Sequence, residues 1–418
     1  MVISRSSIFT RLFSVLSVVA MASLLTLVLA GCKASVDGAA NDDVVTDGGG
    51  AGDNGASDDG AADEGTPDEG TPDDDADVPG DETPDPAPQP EPDPVPVPQP
   101  QPDPAPGDGD DEQPAPVDTV NADLRQHVID MRNAMPGIGS EGFVRPDADD
   151  LATWRTAMQQ LVGHEWAAAA ATLASRFPSY RLIRFVDTGD GDAEYYVVEE
   201  TTPVVKGWGA VLLNPAPQRE LAIEVPHPVF DTHTHTQGVD LFRDTGARFL
   251  LIAGTHRCAN AAPSGCAGVS NVCGDGVYHE SDVGHFTGAP FHVAHEVITL
   301  AHPALHALSI HGNDDLAECG DWFLSAGSNS VVPPILEQIQ QNFPLGSPLV
   351  VYLPDDPHSC PHYGTTNVQG RFTNGSPAPC TQSAPTANGR FLHAEQSWAA
   401  RTNPDYVDDI VESLNASF

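Results

Sequence analysis

Two periodicities alternate along the chain from residue 119 onwards. Apolar side chains recur at helical spacing over 121–135, where Leu124, Val128 and Met131 share one side, and again over 147–177. Shorter runs rich in β-branched and aromatic residues follow, and they predict strands at 180–186, 194–199, 208–213 and 221–225. This part of the chain is therefore predicted to begin with helices and to continue with strands.

Beyond residue 237, strands and helices alternate. The pattern predicts strands at 248–253, 307–310, 349–353 and 391–395, and helices at 238–245, 291–300, 332–342 and 406–414. Such alternation favours an α/β fold with a mostly parallel or mixed central sheet flanked by helices. Sheets of this kind bind ligands beyond the carboxyl ends of their strands, so residues that follow a strand are the first candidates for chemistry.

The first 31 residues have the pattern of a targeting segment. Arg5 and Arg11 precede an apolar run over 12–30, and the segment ends Leu29-Ala30-Gly31-Cys32. This ending resembles a bacterial lipobox. The resemblance implies a lipoprotein signal peptide over 1–31, lipidation of Cys32 and an extracytoplasmic location in the cell envelope, with membrane contact through the lipid only. Lys33 favours the outer membrane. An ordinary signal peptide or a transmembrane anchor is the alternative.

Residues 32–118 have the composition of a disordered linker. The stretch 33–118 contains 26 acidic residues against Lys33 alone and no aromatic residue, so it cannot bury enough apolar surface to fold. The remaining residues, 119–418, are predicted to form one α/β domain whose first part, 119–178, is helical. The whole chain has 60 acidic and 18 basic residues, a net charge of −42, which excludes nucleic acid as a partner. The oligomeric state is left open.

Cysteine usage agrees with export. Apart from Cys32 the number of cysteines is even, which favours disulfides in an exported protein, although the pairing stays open. The sequence lacks the C-x-x-C spacing that is typical of cysteine-based zinc sites. The six candidates for disulfides are Cys258, Cys266, Cys273, Cys319, Cys360 and Cys380.

Histidines concentrate where the predicted strands end. Of the 16 histidines, 14 lie between residues 227 and 393. His227 and Asp231 follow the strand 221–225, Arg257 follows 248–253, His311 follows 307–310, and Glu395 ends 391–395. Two histidines and a carboxylate are the ligands of a catalytic zinc site that keeps its fourth position open for water. Such a metal polarises a carbonyl, and a carboxylate outside the ligand set takes a proton.

The order of these motifs resembles a known superfamily. Val-Pro-His-Pro at 225–228, Gly-Thr-His-Arg-Cys-Ala-Asn at 254–260, Ser-Ile-His-Gly-Asn at 309–313 and Phe-Leu-His-Ala-Glu-Gln-Ser at 391–397 follow one another as in the zinc-dependent exopeptidase-like proteins. These include zinc carboxypeptidases, N-formylglutamate amidohydrolases and poly-γ-glutamate hydrolases. The resemblance implies a phosphorylase/hydrolase-like fold and one Zn²⁺ bound by His227, Asp231 and His311. Arg257 would hold a substrate carboxylate, and Glu395 would act as the base.

The same resemblance implies hydrolysis of an amide bond beside a free carboxylate, with a small peptide or a cell-wall-derived molecule as the substrate. One departure affects the ligands. The carboxypeptidase pattern is H-x-x-E, whereas this chain has His227-x-x-x-Asp231, so Asp282, His256 or no carboxylate at all are alternatives for the third ligand. His285 is a further candidate to serve the site from a loop.

Other functions are compatible with parts of the sequence. Asp231-Thr-His233-Thr-His235 resembles the D-x-H-x-H motif of metal-dependent amidohydrolase barrels, although the chain after it is short for a barrel. The patterns H-x-x-x-D and H-x-H also occur in peptidoglycan endopeptidases of the lysostaphin type, but there they lie far apart. A disulfide-stabilised surface module that binds metal or a partner without catalysis is the non-enzymatic alternative. His292 and His295, on the predicted helix 291–300, are expected to pack rather than to bind metal.

Overall fold

The computed structural model describes residues 117–357 and 360–418. The predicted signal peptide, Cys32 and the linker up to residue 116 lie outside the described residues. The strands of the described part are β1 (Asp118–Ala122), β2 (Tyr180–Asp187), β3 (Ala193–Glu200), β4 (Ala210–Leu213), β5 (Arg219–Val225), β6 (Ala247–Ile252), β7 (His306–Gly312), β8 (Trp322–Ser325), β9 (Val351–Tyr352) and β10 (Phe391–Gln396). The helices are α1 (Leu124–Asn133), α2 (Ala148–Val162), α3 (Trp166–Arg176), α4 (Thr234–Thr245), α5 (Pro290–Ala301), α6 (Pro334–Gln341), α7 (Val368–Thr373), α8 (Trp398–Thr402) and α9 (Pro404–Ser417).

The strands form one mixed sheet of ten strands in the order β1-β2-β3-β4-β6-β5-β7-β10-β8-β9. Its central run, β6-β5-β7-β10, is parallel. Antiparallel pairings join β2, β3, β4 and β6 on one side and β10 and β8 on the other. This confirms the predicted α/β class with a mixed central sheet flanked by helices. The carboxyl ends of β5, β7 and β10 consequently meet at one edge of the sheet.

Apolar side chains alternate between the two faces of the sheet, and each face packs against its own helices. Ile223, Leu250 and Leu308 belong to one core cluster, which also contains buried residues of α1, α4, α6 and α9. Phe249 and Leu251 belong to the other cluster, with buried residues of α2, α3 and α5. Because strand side chains alternate with period two, neighbouring residues of β6 serve opposite cores. The sheet is thus covered on both faces.

Most predicted elements occur close to their predicted bounds, but some short elements were missed. The turn 187–192 joins β2 and β3 in an antiparallel hairpin. Residues 118–122 form an edge strand paired with β2, where the periodicity predicted the helix to start at 121. Asp123 caps that helix by accepting a hydrogen bond from the backbone N–H of Gln126. β8, α7 and α8, of four to six residues each, were not predicted.

All six cysteines of the described part are paired. The disulfides are Cys258–Cys273, Cys266–Cys380 and Cys319–Cys360. The second of them joins the loop after β6 to the loop between α7 and β10. This confirms the prediction of disulfides and supplies the pairing that the sequence left open. Among the described helices, none combines the length and the apolarity needed to cross a membrane.

Candidate metal centre

Three neighbouring parallel strands bring the predicted residues to one edge of the sheet. His227 follows β5 directly, while His311 lies near the end of β7 and Glu395 near the end of β10. β7 pairs with both other strands, and Glu395 is the register partner of His311. Because parallel strands end on the same side, residues more than 80 positions apart in sequence become neighbours. The predicted pattern of strand-end residues therefore produces one cluster.

Asp231 reaches this cluster because the chain turns sharply after His227. The backbone N–H of Asp231 donates to the carbonyl of His227 at 2.8 Å, which closes a turn across four residues. The hydroxyl of Thr234 then donates to the carbonyl of Asp231 at 2.6 Å, where helix α4 begins. The turn brings Oδ2 of Asp231 to 3.2 Å from Nδ1 of His227. The one-residue departure from H-x-x-E is thus accommodated by the turn, and Asp231 reaches the site.

Two imidazole nitrogens converge on one carboxylate oxygen. Nδ1 of His311 lies 3.3 Å from the same Oδ2 of Asp231 that faces Nδ1 of His227. Ligands bonded to a tetrahedral zinc ion at about 2.0–2.1 Å lie about 3.3 Å apart. His227, Asp231 and His311 are all buried, and their ligand atoms lie within 4.8 Å of one another. The three residues therefore form a group that could hold a metal ion.

The far nitrogens of both rings have hydrogen-bond partners. Nε2 of His227 donates to Oδ1 of Asp282 at 2.9 Å, and Nε2 of His311 lies 3.1 Å from the hydroxyl of Ser309. When Nε2 carries the only proton of a ring, the lone pair of its Nδ1 is directed towards Asp231. Metal-binding histidines in proteins are usually oriented in this way by a polar partner on the opposite nitrogen. The donor set and its supporting contacts fit a bound divalent cation.

The electrostatics of the cluster favour a cation. Burial lowers the pKa of His311 to about 4, although Asp231 opposes the shift, so this ring is neutral at neutral pH. Burial and Arg257 lower the pKa of His227, but Asp282 and Asp231 raise it and the net shift is upward. Burial raises the pKa of Asp231, but hydrogen bonds with both histidines outweigh it and the pKa falls below its usual range. An ionised carboxylate therefore lies between two ring nitrogens in a buried position.

Asp282, one alternative for the third ligand, has a different place. Its Oδ1 interacts with His227 and, at 3.1 Å, with Nδ1 of His285. Its Oδ2 accepts hydrogen bonds from Nε and Nη2 of Arg257 at 3.0 and 2.6 Å. Burial raises the pKa of Asp282, but Arg257, His285 and His227 outweigh it and hold the pKa well below its usual value. Both oxygens are occupied by these partners, so Asp282 orients His227 and Arg257 instead of joining the ligand group.

A cavity of about 190 Å³ opens beside the cluster. Glu395 and Arg257 line it, and so does His285, whose ring stacks on Tyr278 with centroids 3.8 Å apart. Glu395 lies opposite His311 on the neighbouring strand, with Oε1 3.6 Å from Nε2 of His393. The structure thus places the predicted ligands, the predicted base and the predicted arginine around one cavity.

The remaining candidates lie elsewhere. Nδ1 of His256 accepts a hydrogen bond from the backbone N–H of Cys258 at 2.9 Å, and the ring is absent from the ligand group. His233 has a left-handed backbone with φ 72° before helix α4, and its ring packs against Trp398. His235 lies buried on that helix. Neither histidine joins His311, and the open sheet excludes the barrel alternative for the described residues.

Two residues of the cluster were missed as functional candidates. Ser309 supports His311, and His393 lines the cavity next to Glu395. Both lie two positions before a recognised residue on the same strand, hence on the same face of the sheet. That spacing was the available signal. His292 and His295 are buried on α5 as expected, and Nδ1 of His295 lies 2.6 Å from Oε1 of Glu224.

Comparisons with known proteins give distant likenesses. No protein-family model matches the chain, and no curated protein matches it. Among solved structures, it is similar to N-formylglutamate amidohydrolase from Ralstonia eutropha JMP134, with 15% identity over 49% of this chain and 93% of that chain and a TM-score of 0.31. It is also similar to a chain named "Putative metallopeptidase" from Shewanella baltica OS155, with 11% identity over 65% and 90% and a TM-score of 0.26. Because both TM-scores are low, the chemistry of this chain is inferred from its own residues.

Proposed function

We propose that residues 119–418 form a zinc-dependent hydrolase that cleaves an amide bond beside a free carboxylate. The observation that carries the proposal is the convergence of Nδ1 of His227 and Nδ1 of His311 on Oδ2 of Asp231, at 3.2 and 3.3 Å. In the metal-free chain, rings that carry a proton on Nδ1 can donate to this oxygen, in keeping with the raised pKa of His227. With Nδ1 of both rings unprotonated, the same three atoms would form a ligand set for a zinc ion.

The residues around the ligands suit amide hydrolysis. When bound, zinc polarises a carbonyl oxygen and lowers the pKa of water. Glu395 is the carboxylate of the cavity that lies beside His311 without belonging to the group of His227 and Asp231. It would accept a proton from the attacking water and pass it to the leaving nitrogen, so that water and amide yield a carboxylic acid and an amine.

Arg257 would orient the substrate. It lines the cavity, and Asp282 holds its guanidinium by two hydrogen bonds, so its position is defined before a substrate binds. An arginine held in this way offers a positive charge for a substrate carboxylate. The cavity is small, and Asp231, Asp314 and Glu395 also line it. We therefore favour a short peptide or a cell-wall-derived peptide as the substrate over a polyanionic chain.

The location is also part of the proposal. Cys32 would carry lipid at the cell envelope, with the outer membrane favoured, and the acidic linker would hold the domain away from the bilayer. The three disulfides Cys258–Cys273, Cys266–Cys380 and Cys319–Cys360 support an extracytoplasmic compartment.

The test combines metal content with hydrolysis by the full chain. We expect about one tightly bound zinc per chain by mass spectrometry, and release of amino acids from a panel of N-acyl amino acids and short peptides. Glu395→Gln should lower hydrolysis about 10²- to 10⁴-fold and keep the zinc, because it removes the proton acceptor but not a ligand. The matched control is Glu412→Gln on the exposed side of α9, which should behave like the wild type. A chain without tight zinc, or an equally active Glu395→Gln variant, would contradict the proposal.

A further inference from the structure

A second group of ligand atoms lies next to the first. His311, His393 and Glu395 are all buried, and one ligand atom from each lies within 4.8 Å of the others. His311 belongs to both groups, so the two positions are neighbours in the same cavity. The proposed function needs one metal ion and leaves His393 without a role.

Neighbouring strands of the sheet hold the residues of this second group, as they hold those of the first. Glu395 is opposite His311 in the parallel pairing of β10 and β7, and His393 precedes Glu395 by two residues on the same face. The rings of His311 and His393 lie with centroids 4.6 Å apart. Gly364 packs against the ring of His393 so closely that a Cβ atom there would lie 2.6 Å from Cδ2. The loop and the strands together define where this imidazole lies.

The contacts of His393 indicate that a partner is missing. The side chain is 5% exposed, and its Nδ1 is buried with no hydrogen-bond partner in the described part of the chain. Its Nε2 lies 3.6 Å from Oε1 of Glu395, too far for a hydrogen bond. The distance is close to the spacing of about 3.3 Å between two ligands of one tetrahedral zinc ion. Nε2 of His393 and Oε1 of Glu395 are thus close enough to be ligands of one ion, while Nδ1 of His393 is a separate buried atom without a partner among the described residues.

We infer that the cavity has a second site for a divalent transition-metal ion, with His393 and Glu395 as ligands and His311 shared with the first site. Imidazole and carboxylate ligands suit Zn²⁺ or Co²⁺. To be shared, His311 would release its Nε2 proton to solvent and bind one ion through each nitrogen, so the second ion binds more weakly than the first. The site goes beyond the proposed function. When the second ion is bound, Glu395 is a ligand, so the proposed hydrolysis belongs to the state with one ion.

The experiment is a zinc titration of the metal-free full chain by equilibrium dialysis with mass spectrometry. The wild type should show a tight step and a weaker one. His393→Gln should keep the tight step and weaken the second at least about 100-fold, because loss of a ligand costs more than loss of a supporting contact. His306→Gln, a partly buried histidine at the opposite end of β7, is the matched control and should keep both steps. Weak binding by the acidic segment 33–118 is common to all variants.

Two more variants separate the outcomes. Glu395→Gln should also lose the second step, which keeps the test decisive if His393→Gln fails to fold by circular dichroism. Identical isotherms for the wild type, His393→Gln and Glu395→Gln would overturn the second site and leave the proposed function intact. His227→Gln should remove the tight step only. If His227→Gln changes nothing while His393→Gln removes a step, the proposed function fails and the second site stands.

Discussion

Two buried clusters of this protein combine histidine with a carboxylate, but the contacts of their ring nitrogens differ. Under helix α5, His295 contacts Glu224 through Nδ1 at 2.6 Å and Thr373 through Nε2 at 2.7 Å. At the strand ends, His227 and His311 each direct Nδ1 towards one oxygen of Asp231. Both clusters are buried. In the first, each ring nitrogen has a partner of its own. In the second, two nitrogens share one carboxylate oxygen, an arrangement in which a metal ion could replace the protons between them.

The difference shows that burial and residue type do not by themselves identify a metal site. His295 makes one contact with each nitrogen and lies away from the cavity residues, so it behaves as a core residue. His227 and His311 meet at an edge where three parallel strands end beside a cavity. Four substitutions test this contrast, beginning with a histidine at the strand ends.

Replacing His311 by Leu should remove metal binding and hydrolysis together. The substitution deletes one of three ligands, and we expect zinc affinity to fall at least about 100-fold. Zinc content and peptide hydrolysis of the full chain are the measurements. Wild-type zinc affinity in this variant would show that the cation is bound elsewhere.

Replacing His295 by Leu should lower stability and leave zinc binding unchanged. Glu224 is 1% exposed and would lose its imidazole partner, so we expect the free energy of unfolding to fall by roughly 3–5 kcal/mol. Zinc affinity should be unchanged, because His295 belongs to neither ligand group. Urea unfolding and zinc titration at a temperature where the variant is folded test both parts. Loss of zinc with preserved stability would reverse the roles of the two clusters.

Replacing Asp282 by Asn should weaken zinc binding without abolishing it. The carboxylate holds Nε2 of His227 and two donors of Arg257, so its loss disorders one ligand and the predicted substrate contact. We expect a 10- to 100-fold loss of zinc affinity, about 1.4–2.7 kcal/mol. The Michaelis constant for substrates with a free carboxylate should rise as well. Complete loss of zinc would instead identify Asp282 as a ligand.

The last prediction concerns His235 and the pH dependence of stability. Burial, followed by Arg132, lowers the pKa of His235 from 6.5 to about 4, and its Nδ1 is buried without a partner among the described residues. Between these values the unfolded chain binds a proton that the folded chain does not, so stability falls as pH drops from 6.5 to 4. His235 contributes at most about 3 kcal/mol to this loss. His235→Leu should flatten the decline in urea unfolding across that window, and an unchanged decline would contradict the assignment.

Periodicity predicted the long elements well and the short ones poorly. Helices α4, α5, α6 and α9 occur near their predicted bounds, because eight or more residues are enough to reveal a period. β8 has four residues, Trp322–Ser325, and all of them are buried. A short apolar run of this kind has no alternation and does not distinguish a strand from other buried segments. Its antiparallel pairing with β10 is a tertiary contact.

The site shows the same division. Strand-end position predicted that His227, His311 and Glu395 would come together, because parallel strands end on one side of a sheet. Strand-end position did not distinguish Asp231 from Asp282 as the carboxylate beside both histidines, since each lies in a loop that follows a strand. Asp231 reaches the pair through a turn closed by its own backbone N–H, and Asp282 is occupied by Arg257, His285 and His227.

What the sequence alone determined was the class of fold, the even set of six cysteines and the strand-end chemistry, because hydrophobic period and residue type are local properties. The strand order, the disulfide pairing and the direction of each ring nitrogen were decided only by the tertiary structure. These depend on which residues meet across long separations. Nδ1 of His227 and Nδ1 of His311 come close to the same oxygen of Asp231 only when β5 and β7 lie side by side.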